Sequence, residues 1–387
     1  MRRSRRGGPR PVTGEHPATP FEIFFDLVFV FALTRIIAFL GHAPSPVRMG
    51  QGLLLLMLLW FSWSGYAWLG NRTRTDIGWV RVGALVEMAA LFVAALVMPD
   101  AWHSAPGVDG PLILALTYIV VRVVHLLLYV WSVSGDPDLR ARIGRFGLAS
   151  ALSWLPLLLG ALLGGAAQTG LWAAAFVIEV GGQRFVSSSR GGWPLHSPGH
   201  FAERHGLVVI ITLGESLIAA GVGAGAGVAR PAVLVTALTA LAVTVCLWWL
   251  YFESAAPAAR AALLRATGER RDRIASDAYS LAHLPMIVGI ISLALGVERA
   301  LERAAADGLS GYWLGWPTAT SLYAGAVLFL TGRLLFVRLS TGTAPAGQLV
   351  AVVAPLAALP VGSLVPAEAA LALLAALLVG TVVAQRR

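Results

Sequence analysis

The chain contains no lysine, a single cysteine, and only 13% charged residues in 387. Without lysine there can be no Walker A phosphate loop, whose chemistry needs that ammonium group. The lone Cys246 excludes a disulfide within the chain and, lying in an apolar stretch, reads as a small packing residue. A soluble domain carries about 25% charged residues, so the scarcity of charge argues against a water-soluble fold. Also missing are a Gly-x-Ser-x-Gly nucleophile elbow, a His-Glu-x-x-His zinc pattern and an Asp-x-x-Asp magnesium pair. The run Gly221-Val222-Gly223-Ala224-Gly225 has glycine spacing but ends a membrane helix instead of opening a dinucleotide fold.

What is present is apolar length. Hydrophobic residues make up 57% of the chain and the mean hydropathy is +0.74. Apolar stretches of about 17 or more residues recur from Phe21 onward, each long enough to cross a hydrocarbon core as a helix. A transmembrane barrel would need alternating segments of about ten residues, and these do not occur. The expected fold is therefore all-α, a polytopic transmembrane bundle of about twelve spans. They fall near 20–40, 49–70, 77–98, 110–133, 144–164, 168–186, 203–223, 231–252, 276–297, 317–337, 346–362 and 366–384.

All 29 basic residues are arginine. With Ala, Gly, Leu and Val also abundant, this reads as genome composition bias and not as nucleic-acid binding. If odd helices run outward, most arginines, including Arg333 and Arg338, fall in inner segments, and few, such as Arg48 and Arg230, fall outside. That asymmetry puts both termini in the cytoplasm. Residues 1–19 are expected to form an uncleaved cytoplasmic basic tail, because a polar, Pro-rich stretch follows Met1-Arg2-Arg3. Residues 20–387 form one transmembrane domain with possible halves 20–186 and 200–387. Shared polar and aromatic positions suggest a parallel six-plus-six repeat. The segment 253–275 is expected to be a surface helix.

Ionisable residues inside such spans are expensive and must pair or face water. On the seventh span His200, Arg204 and Glu215 share a face, Glu203 borders it and His205 points away. On the fourth, Tyr118, Arg122, His125 and Tyr129 form a continuous stripe. On the ninth, Ser276, Ser280 and His283 align, with Asp277 nearby and Pro285 freeing a carbonyl. Glu22 and Asp26 lie one turn apart on the first span, and Glu87 and Glu179 add acids on the third and sixth. Depth pairs Arg122 with Glu87 or Glu215, and Asp26 with Arg204 or Arg81. Each such pair has a plainer reading, as an ion pair that fixes helix register and does nothing else. His200-x-x-Glu203-x-His205 is a weak metal pattern, since its histidines point to different faces.

Two long motifs carry a resemblance. Phe21-Glu22-Ile23-Phe24-Phe25-Asp26-Leu27-Val28-Phe29-Val30 resembles the Glu-Leu-Phe-Phe-Asp-Leu-Val-Phe-Val motif of the bacterial low temperature requirement protein A family. His200-Phe201-Ala202-Glu203-Arg204-His205-Gly206, continuing to Gly214-Glu215-Ser216, resembles its second signature. Lesser likenesses are Asn71-Arg72 with Arg81, Trp248 to Phe252, and Ala278-Tyr279-Ser280 with His283 and Pro285. The departures are small: Ile23 replaces a common Leu, and Glu253 replaces a common Asp. The resemblance implies a multi-pass membrane protein linked to growth in the cold, with cell membrane and stress response as its associations. It implies no mechanism.

Three functions stay open. The leading one is a small-solute or ion transporter or channel with proton-titratable buried residues. In it Glu215 and Arg122 form the central pair, His125 and His283 accept protons, and Asp26, Glu203, Arg204 and Asp277 line the cytoplasmic mouth. Glu87 and His200 complete the binding set. The second is an intramembrane enzyme acting on a lipid or isoprenoid through Asp26, His200, Glu203 and Asp277. The third is a non-catalytic cold-stress membrane factor. No cofactor, metal or nucleic-acid partner is expected; membrane lipids and a small solute or ion are. The expected location is the bacterial cytoplasmic membrane.

Overall fold

A computed structural model describes residues 16–41, 45–105, 108–133, 135–189, 193–306, 313–343 and 346–385. Most of the basic tail, together with Arg190, Arg386 and Arg387, lies outside the described residues. The fold is an all-α polytopic transmembrane bundle. Helices α1 (Pro20–Gly41), α2 (Pro46–Arg72), α3 (Gly78–Val97), α4 (Gly110–Ser132), α5 (Pro137–Leu163), α6 (Gly165–Ser189) and α7 (Pro198–Ala224) make up the first part of the chain. They are followed by α8 (Pro231–Trp249), α9 (Ala256–Arg265), α10 (Gly268–Arg273), α11 (His283–Ala305), α12 (Trp316–Thr341), α13 (Ala346–Ser363) and α14 (Ala367–Ala384). Internal contacts divide the chain into two units, up to Arg204 and from His205, with the division inside α7.

Local sequence sets the helix starts. Ser45, Asp109 and Asp136 cap α2, α4 and α5 by accepting from the backbone N–H of Arg48, Leu112 and Leu139, at 3.1, 3.0 and 2.9 Å. A proline stands at the first or second helical position of each, where its missing N–H costs nothing. Among the described residues, 10 helices are long and apolar enough to span a bilayer. The expected sixth and eleventh spans exist as α6 and α13 but are not among the ten. Gln168, Thr169, Glu179 and Gln183 dilute α6, and α13 is short.

In the first unit, one end of the helices carries the start of α1, the ends of α2 and α4 and the arginines Arg72, Arg74, Arg140 and Arg142; we call it the basic rim. Asn71 fastens α7 there: its Nδ2 donates to Ser197 O at 2.5 Å, and its Oδ1 accepts from the N–H of His196 at 2.9 Å. The opposite end is filled by a ring-on-ring layer, with Trp102 5.6 Å from Phe39 and 5.0 Å from Trp172.

The second unit departs from the expected plan. No separate surface helix occupies 253–275. Instead α8 continues through a π-helical segment, Leu250–Ala255, into α9; after a turn at Gly268 (φ +53°) α10 continues through a second one, Ile274–Leu281, into α11. Each widened segment comes shortly before a proline, Pro257 or Pro285, whose ring would collide with the carbonyl four residues back. The widening moves hydrogen bonds to the fifth residue, as in Ala282 N–H to Asp277 O at 3.0 Å. The expected Ser276–Ser280–His283 face is therefore re-phased.

Arg333, counted above as a loop arginine, is buried inside α12. Its Nε donates to Leu250 O at 2.7 Å, and its Nη2 donates to Ser254 Oγ at 2.8 Å and Gln385 Oε1 at 2.6 Å. The core of this unit is a close crossing of α11 and α12. A Cβ at Gly289 would stand 2.5 Å from Gly325 O, and one at Gly325 would stand 2.8 Å from Gly289 O. Small residues allow that approach, as is usual where helices pack in lipid.

Candidate functional site

The site begins with two helices that carry polar residues at the same spacing. Glu22 and Asp26 are one turn apart on α1; His200 and Arg204 are one turn apart on α7. The result is a two-rung ladder. In the first rung His200 Nε2 lies 3.1 Å from Glu22 Oε1, while Glu22 Oε2 accepts from the Thr19 N–H at 2.8 Å. In the second, Arg204 donates both terminal nitrogens to Asp26, at 2.9 and 2.8 Å, and Trp63 Nε1 donates to the same carboxylate at 2.8 Å. This is the two-pronged guanidinium–carboxylate geometry that is strongest in a dry setting. Asp26 thus meets Arg204, as depth suggests, and Arg81 is exposed. Phe25 stacks on Tyr66 with centroids 3.8 Å apart, and the Arg204 guanidinium lies 5.8 Å from both the Trp63 and Tyr66 rings.

A cavity of about 390 Å³ opens at the basic rim over the first rung, lined by His16, Thr19, Glu22, Thr73, Arg74 and Thr75 among others. Gly70 admits the Glu22 carboxylate, because a Cβ there would stand within contact distance of Oε1. The His16 ring lies 4.2 Å from that of His200. The buried hydroxyls of Thr75 and Tyr66 face each other. Outside the spans, the Arg74 guanidinium donates to Asp76 and holds its carboxyl below the usual carboxylate range.

Tyr66 also lies in the electrostatic field of Glu22, Arg204 and Glu87, and Glu87 lies in that of Arg122. This leads to a second cluster. Arg122 pairs with Glu179 at 2.5 Å, and Tyr118 Oη donates to Glu179 Oε2 at 2.6 Å. The carboxylate partner of Arg122 is therefore Glu179 on α6, not the Glu87 or Glu215 that depth suggests. One oxygen of Glu87, Arg122 Nε and His125 Nδ1 have no hydrogen-bond partner. The expected stripe Tyr118–Arg122–His125–Tyr129 is buried throughout. Arg122 and His125 line a second cavity, of about 60 Å³, with Ser64, Gly65, Trp68, Phe146 and Trp193. Helix α2 is the wall shared by both cavities. At the opposite end a shallower groove of about 480 Å³ is lined by Arg48, Gln51, Trp102 and His103 among others.

Among the described groups of the first unit that are at most 3% exposed, four carboxylates (Glu22, Asp26, Glu87, Glu179) stand against two guanidiniums (Arg122, Arg204). The interior is two positive charges short, and histidines, protons or cations must supply them. Glu203 stays outside this chain of groups: it is exposed and accepts from the Ala18 N–H at 3.3 Å.

A model of the family described as bacterial low temperature requirement A protein (LtrA) matches residues 17–383. The chain belongs to that family. An uncharacterised protein of Rhizobium meliloti (strain 1021) is 28% identical over 332 residues, covering 84% of this chain and 78% of the relative. In this LtrA-family protein the first motif supplies Glu22 and Asp26, and the second supplies His200 and Arg204. The two signatures are thus the two sides of the ladder.

The remaining expected site residues lie in the second unit. Glu215 is buried on α7, and Asp277 sits half-buried in the second π-helical segment. His283 Nε2 is 2.8 Å from Tyr251 Oη, and its ring lies 5.0 Å from His205 and 4.6 Å from Phe336. His205 does point away from Arg204, but into this buried aromatic group, 5.3 Å from Tyr279. Sequence reasoning missed Trp63, Tyr66, Tyr251 and the pairing role of Glu179. The i, i+3 spacing of Trp63 and Tyr66 on α2 was the available signal. Among the described residues no group of three or more His, Cys, Asp or Glu is placed to hold a metal ion.

Proposed function

We propose that this protein moves a small solute or ion across the bacterial cytoplasmic membrane in exchange with protons, and that its first unit does so with the basic rim facing the cytoplasm. The observation that carries the reading is the two-charge deficit among the buried groups of the first unit, with Glu22 at an open cavity and Arg122 at a second one. Sites that need protons or cations to balance their charge, placed next to water, are what coupling requires. Cavities at the rim and a groove at the opposite end, with an aromatic layer between, suit gated passage better than a permanently open pore. In this account Asp26 and Arg204 hold α1 to α7, while Glu22, His200, Glu87 and His125 exchange protons.

The test uses purified protein in liposomes loaded with a pH-sensitive dye. An imposed pH gradient should drive flux of a transported solute, and Glu22→Gln and Glu87→Gln should each reduce it about tenfold or more. Wild-type vesicles that show no proton-linked flux across a broad solute panel would refute the reading.

A further inference from the structure

We infer that the groove opposite the basic rim binds a phosphate diester whose outer arm carries hydroxyl groups, of the phosphoglycerol type, as in an anionic lipid headgroup or the free diester. The inference goes beyond the transport reading and does not depend on it.

Charge decides first. No residue that lines this groove is acidic, and two of them, Arg48 and His103, are basic. Arg48 is half-buried against Phe39: its Nη1 donates to Phe39 O at 3.0 Å, and its guanidinium lies 4.6 Å from the ring. Both contacts are with neutral groups. Among the described residues Arg48 has no carboxylate partner, and its Nε and Nη2 are neither hydrogen-bonded nor closed off from solvent. Asp100, two residues before Trp102, is exposed and does not line the groove. The free Nε–H and Nη2–H of a guanidinium point the same way, as a fork that two oxygens of one phosphate can accept.

The second group is set by Gln51, one turn from Arg48 on α2. Thr169 Oγ1 accepts from Trp102 Nε1 at 2.9 Å and from Gln51 Nε2 at 3.2 Å, while its own proton is directed back at Gly165 O. The Gln51 amide must therefore turn its NH2 toward Thr169. Its Oε1 is left as an accessible acceptor, placed to take a hydroxyl proton from a ligand whose phosphate sits on Arg48. The exposed His103 ring offers a further polar contact, and Trp102, held 5.6 Å from Phe39 and 5.0 Å from Trp172, gives a fixed flat wall. A groove of about 480 Å³ far exceeds the share of one water, about 30 Å³, and admits a headgroup of about ten heavy atoms. Its borders are apolar: Val47 in the lining, and Leu162 and Leu163 just before Gly165, are exposed. A tryptophan beside such a border sits where interfacial aromatics meet lipid headgroups.

Native mass spectrometry of the solubilised full-length protein, titrated with dioctanoyl lipids, tests this. Wild type should bind its first phosphatidylglycerol about tenfold more tightly than Arg48→Gln does, as expected for loss of a charged hydrogen-bond donor. Arg140→Gln, at the basic rim, should match wild type; an equal loss there would reduce the binding to general charge attraction and overturn the proposal. Phosphatidylmethanol, with the same charge but no headgroup hydroxyls, should bind wild type about fivefold less tightly than phosphatidylglycerol, and Gln51→Leu should erase that preference. His103→Ala, at an exposed side chain, should weaken phosphatidylglycerol binding by about twofold and serves if Arg48→Gln does not fold. Glycerophosphoglycerol, the same diester without acyl chains, separates the two sources: affinity close to that of the lipid assigns the groove to the free diester, and affinity lower by about tenfold or more assigns it to the lipid. Phosphatidylglycerol binding unchanged in the Arg48 and His103 variants, or no preference over phosphatidylmethanol in wild type, would overturn the proposal.

Discussion

Arg122 and Arg333 are both almost fully buried arginines in membrane helices, yet their surroundings differ in kind. Arg122, in the first unit, is held by the Glu179 carboxylate beside a cavity and within the field of Glu87. Arg333, in the second, is held by neutral oxygens: the Leu250 carbonyl at a π-helical segment, Ser254 and Gln385. The contrast extends to the histidines. His200 meets a carboxylate under an open cavity, whereas His283 meets a tyrosine hydroxyl inside a ring cluster. Buried polarity therefore serves two ends here. Where carboxylates outnumber cations beside a cavity, it can hold exchangeable charge; where neutral donors and acceptors close on one another, it organises packing.

Four substitutions sharpen or break that contrast. The largest effect belongs to Asp26→Ala, which strands Arg204 in a dry interior and should cost about 3–5 kcal/mol. Thermal unfolding in detergent should show it, and Asp26→Leu combined with Arg204→Met should recover most of the loss. If the single variant is as stable as wild type, the ladder is not holding α1 to α7. Next, Gly289→Ala forces a methyl against Gly325 O and Phe329 N and should cost about 1–3 kcal/mol by parting α11 from α12. A neutral result would mean that this crossing is looser than described. Arg333→Met leaves the Leu250 carbonyl, Ser254 and Gln385 without their donor, at about 2 kcal/mol. Proton-linked flux of the remaining folded protein should stay within twofold of wild type; a tenfold loss would erase the distinction between the units.

The smallest effect is at the surface and depends on pH. Because Arg74 lowers the Asp76 carboxyl below its ordinary value of about 4, the pair adds stability above that pH. The contribution disappears as pH falls through the lowered native value. Asp76→Asn should melt slightly below wild type at pH 7, with the gap closing on acidification. A gap that persists at the acid end would assign the effect to something other than this pair.

Much of the architecture was legible because long apolar runs and helix-starting prolines leave few alternatives. Depth left Asp26 with Arg204 or Arg81, and the structure pairs it with Arg204. Glu179 was not: α6 begins at Gly165 and continues to Ser189, so the carboxylate lies more than two turns from the helix end, deep enough to meet Arg122. Arg333 was misplaced for the same reason, since α12 runs on to Thr341. The face carrying His283 was misphased because π-helical segments break the 3.6-residue period, and Pro257 and Pro285 were the only warning. Wherever the helical period held, as on α4, the stripe of Tyr118, Arg122, His125 and Tyr129 came out on one buried face.

The most direct test of the account compares proton entry into dye-loaded proteoliposomes carrying wild type, Glu22→Gln or Tyr251→Phe under one imposed pH gradient. The account predicts a loss of about tenfold or more for Glu22→Gln and a rate within twofold of wild type for Tyr251→Phe. Undiminished proton entry in Glu22→Gln, or a collapse confined to Tyr251→Phe, would contradict it.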